Sequence, residues 1–146
     1  LIVHNGKIYI LLVEAAAESR KAFSTALEAG GMDCTVVESG GTAEAVSLLR
    51  DPQNRFDLVA VSLDLPGASG LDLFAQVKDL DDLPPFLVTC GSQTLGQAVE
   101  ALRLGVDDYL RKDPPQAYQA LLPLIVGEIM ERRENRRFRR MAENDG

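Results

Sequence analysis

The chain has 146 residues, of which 46% are apolar and 25% charged, a size and balance that suit one domain with a full hydrophobic core. Its net charge of −7 is unevenly spread: residues 1–130 hold 9 Lys and Arg against 18 Asp and Glu, whereas residues 131–146 hold 6 Arg against 4 acids, and an acidic body argues against a nucleic-acid footprint. Two cysteines, Cys34 and Cys90, and the lone His4 support neither a disulfide framework nor a Cys/His zinc site, so a reducing cytoplasm is the expected setting.

Residues 1–6 read as a leader. The opening LIVHNGKIYILLVE is apolar but lacks the basic segment and small-residue cleavage site of a signal peptide. No apolar run reaches the roughly 18 residues of a membrane span. KIYILLV is a continuous apolar run, as suits a strand buried on both faces. ESRKAFSTALEAGG follows as a helix, with Gly30-Gly31 as its stop. DCTVVES is a short β-branched strand, and GTAEAVSLLR a helix that Thr42 is placed to cap. FDLVAVSL is the third strand, LPGASG its exit loop and LDLFAQVKDL the third helix, closed by Pro84-Pro85. FLVTC is the fourth strand, TLGQAVEALRLG the fourth helix and DYLRK the fifth strand. The last helix is predicted to start near Pro114-Pro115 and to run to about Arg140.

Five βα units with short connections imply a doubly wound parallel sheet covered by helices on both faces. Its functional crevice lies outside the carboxyl ends of strands 1, 3 and 4. The residues to consider are therefore 14–17, 62–67 and 89–92, together with Lys112 after strand 5.

At these positions the sequence resembles the receiver domain of bacterial two-component response regulators, over about residues 7–130. ILLVE…ESR is similar to the first strand and acidic loop, and DLVAVSLDLPGASGLDLF to the third strand, phosphorylation loop and third helix. FLVTC carries the switch threonine as Thr89. GVDDYLRK carries the switch aromatic as Tyr109 and the pocket lysine as Lys112. One extra residue lies between Thr89 and Lys112, before the fourth helix. The resemblance implies a flavodoxin-like (CheY-like) α/β fold with five parallel strands in the order 2-1-3-4-5. It also implies a pocket in which two acids and the third-strand aspartate hold Mg²⁺ while that aspartate accepts a phosphoryl group, with metal and lysine neutralising its charge.

The chain departs from this pattern at two positions. With Val13 aligned to the end of the first strand, Glu14 takes the first acidic position and Ala15 the second. Counting from Asp57, or back from Pro66, the phosphoacceptor position is Ser62. Phosphoryl transfer to aspartate cannot occur there. Ser62 has no evident general base to activate it. Asp64 lies roughly 6–7 Å further along the chain and is the one nearby acid to weigh as a substitute acceptor. Glu14 and Lys112 leave the pocket about neutral, so weak or absent Mg²⁺ binding is expected, with Glu14 and Lys112 paired directly. Thr89 and Tyr109 read equally as strand-end and packing residues, and Cys90 as a small apolar filler. Asp113 follows Lys112, with the prolines displaced to 114 and 115, so a cis peptide directly after Lys112 is not expected.

Residues 131–146 read as a basic helical linker. Its apolar positions make no clean heptads, which disfavours an autonomous coiled coil. A solvated helix with Glu–Arg pairing and a connection to a downstream domain are both open. The ending RRMAENDG is similar to the linker that precedes the catalytic domain of many receiver-linked diguanylate cyclases. The expectation is a non-enzymatic receiver that is not phosphorylated on aspartate and acts as a regulatory docking module. Its protein partners, or a second copy, would use helix 4, strand 5 and helix 5, and an output domain would follow the last helix. Two alternatives remain: a receiver phosphorylated on Asp64, and a small-molecule-binding flavodoxin-like domain. VEAAAES offers no Gly-rich phosphate cradle for the latter.

Overall fold

The computed structural model describes residues 7–67 and 70–144. The expected leader, residues 1–6, lies outside them. Strands β1 (Ile8–Val13), β2 (Cys34–Ser39), β3 (Leu58–Ser62), β4 (Phe86–Cys90) and β5 (Asp108–Arg111) alternate with helices α1 (Ala17–Ala29), α2 (Thr42–Arg50), α3 (Gly70–Val77), α4 (Leu95–Leu104) and α5 (Pro115–Asn144). All neighbouring strands are parallel, in the order β2-β1-β3-β4-β5.

The strand period of two divides the core. Ile8, Ile10 and Leu12 of β1 face α1 and α5, where they meet Phe23, Leu27, Tyr118, Leu122 and Val126. Leu11 and Val13 face the other way, into the layer that contains Ala45 of α2, Leu73 and Phe74 of α3 and Ala98 of α4. Burial on both faces accounts for the almost unbroken apolar runs of β1, β3 and β4.

Thr42 does not cap α2. It is the first helical residue, Gly41 occupies the cap position without a side-chain bond, and the Thr42 hydroxyl is buried without a hydrogen-bond partner. The β4–α4 connection forms a 3₁₀ turn at Ser92–Thr94. Gly105 ends α4 with a φ of 119°, a left-handed conformation that favours glycine. Among the described residues, the cis peptide bond is Asp113–Pro114, one residue beyond Lys112.

Helix α5 is the longest element, with 30 residues, or about 45 Å of helix. Its apolar face is buried as far as Ile129 and Met130. Beyond them, Arg132, Arg133 and Arg136 reach back to Asp108, Asp57 and Asp107. Phe138 and Met141 are exposed.

Candidate functional site

The site is built from the carboxyl ends of β1, β3, β4 and β5. Glu14 follows β1, and its backbone N–H donates to the Ser39 carbonyl at 2.9 Å, which fixes the loop against the end of β2. Ser62 ends β3 and stands in register with Thr89 of β4. The Lys112 N–H donates to the Cys90 carbonyl at 2.9 Å, setting the lysine beside the end of β4.

The Lys112 ammonium is the centre of the arrangement. It donates to Glu14 Oε1 at 2.5 Å and to Ser62 Oγ at 3.0 Å, and lies 4.0 Å from Asp64 Oδ2. The Glu14 side chain is 6% exposed and that of Lys112 is 22% exposed, so this is a largely desolvated, charge-assisted contact. Ser62 Oγ also accepts the Asp64 N–H at 3.1 Å. Two donors thus occupy the acceptor positions of the hydroxyl, the opposite of the general-base contact that a nucleophilic serine requires. Asp64 itself is exposed.

The structure brings Glu14, Ser62, Asp64 and Lys112 together. Thr89 is buried next to Ser62. Ala15 is partly buried against the core and brings no polar side-chain atom. Tyr109, in register with Val88, packs partly buried against the α2–α4 layer, outside the Lys112 cluster.

An octahedral Mg²⁺ site takes six oxygens and balances its charge with carboxylates. Here the side chains offer Glu14, the Ser62 hydroxyl and the exposed Asp64, and an ammonium already stands among the three. Among the described residues, no group of three or more His, Cys, Asp or Glu side chains is arranged to hold a metal ion. The Cys90 thiol pKa is raised by burial and by the nearby Asp64 charge. Burial, with the Glu14 charge second, pushes the Tyr118 hydroxyl well above the ordinary tyrosine range.

One contributor is not evident from sequence. Arg20 Nη1 donates to the carbonyls of Glu14 and Ala15, both at 2.9 Å, and so shapes the β1–α1 loop from the first turn of α1. Backbone carbonyls carry no residue-specific signal, so the pattern alone gives no hint of this contact.

A small cleft of about 180 Å³ opens beside Lys112 between α1 and α5, lined by Glu18, Ser19, Ala22 and Tyr118 among others. Ligand pockets usually hold about 300–1,000 Å³.

Comparison with known proteins gives a consistent picture. The Response regulator receiver domain family matches residues 10–122. The response regulator protein FleR of Pseudomonas aeruginosa is 34% identical over 117 residues, covering 80% of this chain and 24% of that protein. The sensory transduction protein RegX3 of Mycolicibacterium smegmatis is 29% identical over 136 residues, covering 93% of this chain and 53% of that protein. The chain therefore spans from about a quarter to about half of the length of these relatives. Among solved structures, a response regulator receiver domain protein from Clostridium thermocellum superposes with a TM-score of 0.74 at 20% identity, covering 87% of this chain and 97% of that one. NtrX from Brucella abortus does so with a TM-score of 0.75 at 22% identity, covering 90% of this chain and 28% of that one.

Proposed function

The chain belongs to the response regulator receiver domain family, and from that premise we propose that it is a receiver without aspartyl phosphorylation, working as a docking module of a larger signalling protein. One observation carries this reading. At the carboxyl end of β3 stands the Ser62 hydroxyl, bonded to Lys112 and to the Asp64 N–H, where a receiver places its phosphoacceptor carboxylate. Ala15 removes a second carboxylate beside it. Lys112 supplies the positive charge that Glu14 would otherwise share with a metal, so Mg²⁺ affinity falls and the pocket rests in one state.

Protein partners, or a second copy, would dock on α4, β5 and α5. Val99, Leu102 and Leu104 on α4 and Leu121 and Leu124 on α5 are exposed and support that surface. An output domain would follow α5, and the ending RRMAENDG favours a diguanylate cyclase. Formation of cyclic diguanylate from GTP by the full-length protein tests that part directly.

The pocket reading is tested by treating the chain with acetyl phosphate, or with beryllofluoride and Mg²⁺, followed by intact-mass and NMR measurement. No adduct is expected, and calorimetry should detect no Mg²⁺ binding below about millimolar. An adduct on Asp64 would replace this reading with that of a phosphorylated receiver.

A further inference from the structure

Past Met130 the buried apolar face of α5 stops and arginines take its place. Arg132 Nη2 lies 3.6 Å from Asp108 Oδ2, and Arg136 Nη2 lies 3.6 Å from Asp107 Oδ2. Arg133 Nη1 donates to Asp57 Oδ1 at 3.2 Å and to the Asp57 carbonyl at 2.9 Å. All three aspartates lie at the amino-terminal ends of their strands, Asp57 at β3 and Asp107 and Asp108 at β5, with β4 between. Asp57 precedes β3, Asp107 precedes β5 and Asp108 is the first residue of β5.

Each of these acids is held in place by the backbone. Asp57 Oδ2 accepts the Tyr9 N–H at 2.9 Å, Asp107 Oδ1 accepts the Phe86 N–H at 2.8 Å, and Asp108 Oδ1 accepts the Tyr109 N–H at 2.8 Å. The carboxylates are thus pre-positioned, and the arginines meet a rigid surface. A single exposed ion pair contributes little, but three on one helix face form a network that holds it at successive turns. The Arg133–Asp57 pair is the least exposed, at 16% and 25%.

The grip ends after Arg136. Arg137 pairs with Glu134 on its own helix at 3.6 Å. Arg137 and Arg140 line an open groove of about 260 Å³ that also contains Asp81 and Asp82, and neither forms an ion pair with those acids.

We propose that Arg132, Arg133 and Arg136 with Asp108, Asp57 and Asp107 form an ionic strap that fixes the direction in which α5 leaves the domain, and that opening it frees residues 131–136 from the sheet edge. Strapped, the helix holds whatever follows at a set angle to the sheet. Opened, the helix beyond Met130 keeps its intrahelical hydrogen bonds but loses its ties to the sheet, so its end frays more readily. The strap lies at the end of the sheet opposite Lys112.

Amide hydrogen exchange of the whole chain tests this in three forms: unaltered, R132Q/R133Q/R136Q and D57N/D107N/D108N. Each is measured at about 0.02 M and about 1 M NaCl, conditions that span weak to strong screening. The expected result is exchange over residues 131–136 about tenfold faster in both variants and in the unaltered chain at high salt, with β1, β3 and β4 as protected as before. The aspartate variant also alters contacts that hold the sheet edge. If its strands lose protection, the arginine variant, which leaves those contacts intact, decides the outcome. Exchange over 131–136 that responds neither to the arginine variant nor to salt overturns the strap.

Discussion

Lys112 is the residue on which the pocket depends. It is the shared donor to Glu14 and Ser62, and Glu14 is almost fully buried. Removing one partner of a buried pair leaves an uncompensated charge, which typically costs 3–5 kcal/mol, and the partial exposure of Lys112 places this case lower. Lys112→Met is expected to destabilise the fold by about 2 kcal/mol in urea denaturation, and Glu14→Gln added to it to recover about half of that. With Glu14→Gln measured alone as well, a loss in the double variant equal to the sum of the two single losses would show that the pair is not coupled. Tyr118, on the α1–α5 side of the core, sets an alkaline limit. Its hydroxyl pKa is raised in the folded state by burial and then by Glu14, so ionisation favours the unfolded chain. The contribution of the neutral phenol is complete below the unfolded value of about 10 and is lost as pH rises beyond it. Tyr118→Phe should therefore narrow the drop in Tm between pH 8 and pH 11, measured by circular dichroism.

Among the elements, α1 and α5 meet closely where α1 ends. A Cβ placed on Gly30 would lie 2.5 Å from both Cβ and Cγ of Pro123, a ring inside α5 that cannot swing away. Gly30→Ala is expected to cost about 1–3 kcal/mol through overpacking, and Pro123→Gly, which removes both of those atoms, to relieve much of that cost, as a chemical-denaturation double-mutant cycle would measure. The glycine is readable in sequence as a helix stop, yet its close contact is not, because Pro123 lies 93 positions away. The same divide runs through the other elements. The apolar runs of β1, β3 and β4 announce strands because burial on both faces demands them, and FLVTC has the same bounds in sequence and structure. Helix α2 shows the opposite case: Thr42 has the chemistry of a cap, but the helix begins one residue earlier than a cap at that position requires. Local propensity identifies elements, and tertiary contacts decide their ends. The pocket was legible for a related reason. Glu14 and Lys112 follow strands, Ser62 ends one and Thr89 is the last residue but one of another, and parallel topology alone brings strand ends together. Arg20 and the strap acids were not, because they act through backbone carbonyls or across distant segments.

For the molecule as a whole, the question is where the folded body stops. The sequence places the boundary near residue 130, where net charge turns from acidic to basic. The last buried apolar side chain of α5, Met130, falls at the same place. The ion pairs of Arg132, Arg133 and Arg136 with the sheet edge extend the contact by nearly two helical turns. Two truncations separate these boundaries. A chain ending after Arg136 keeps all three arginines and should melt within about 2 °C of the full chain, since residues 137–144 contribute no buried apolar side chain. A chain ending after Met130 loses the pairs and leaves Asp57 and the adjacent Asp107 and Asp108 without their cations. At roughly 0.5 kcal/mol for each partly exposed pair, plus the repulsion left behind, it should lose about 2 kcal/mol, or about 5 °C in Tm. Because screening weakens both the pairs and the repulsion, the gap between the two truncations should shrink by more than half at about 1 M NaCl. A gap that persists undiminished at high salt would mean that residues 131–136 stabilise the domain through packing, and a gap absent at low salt would place the boundary at Met130.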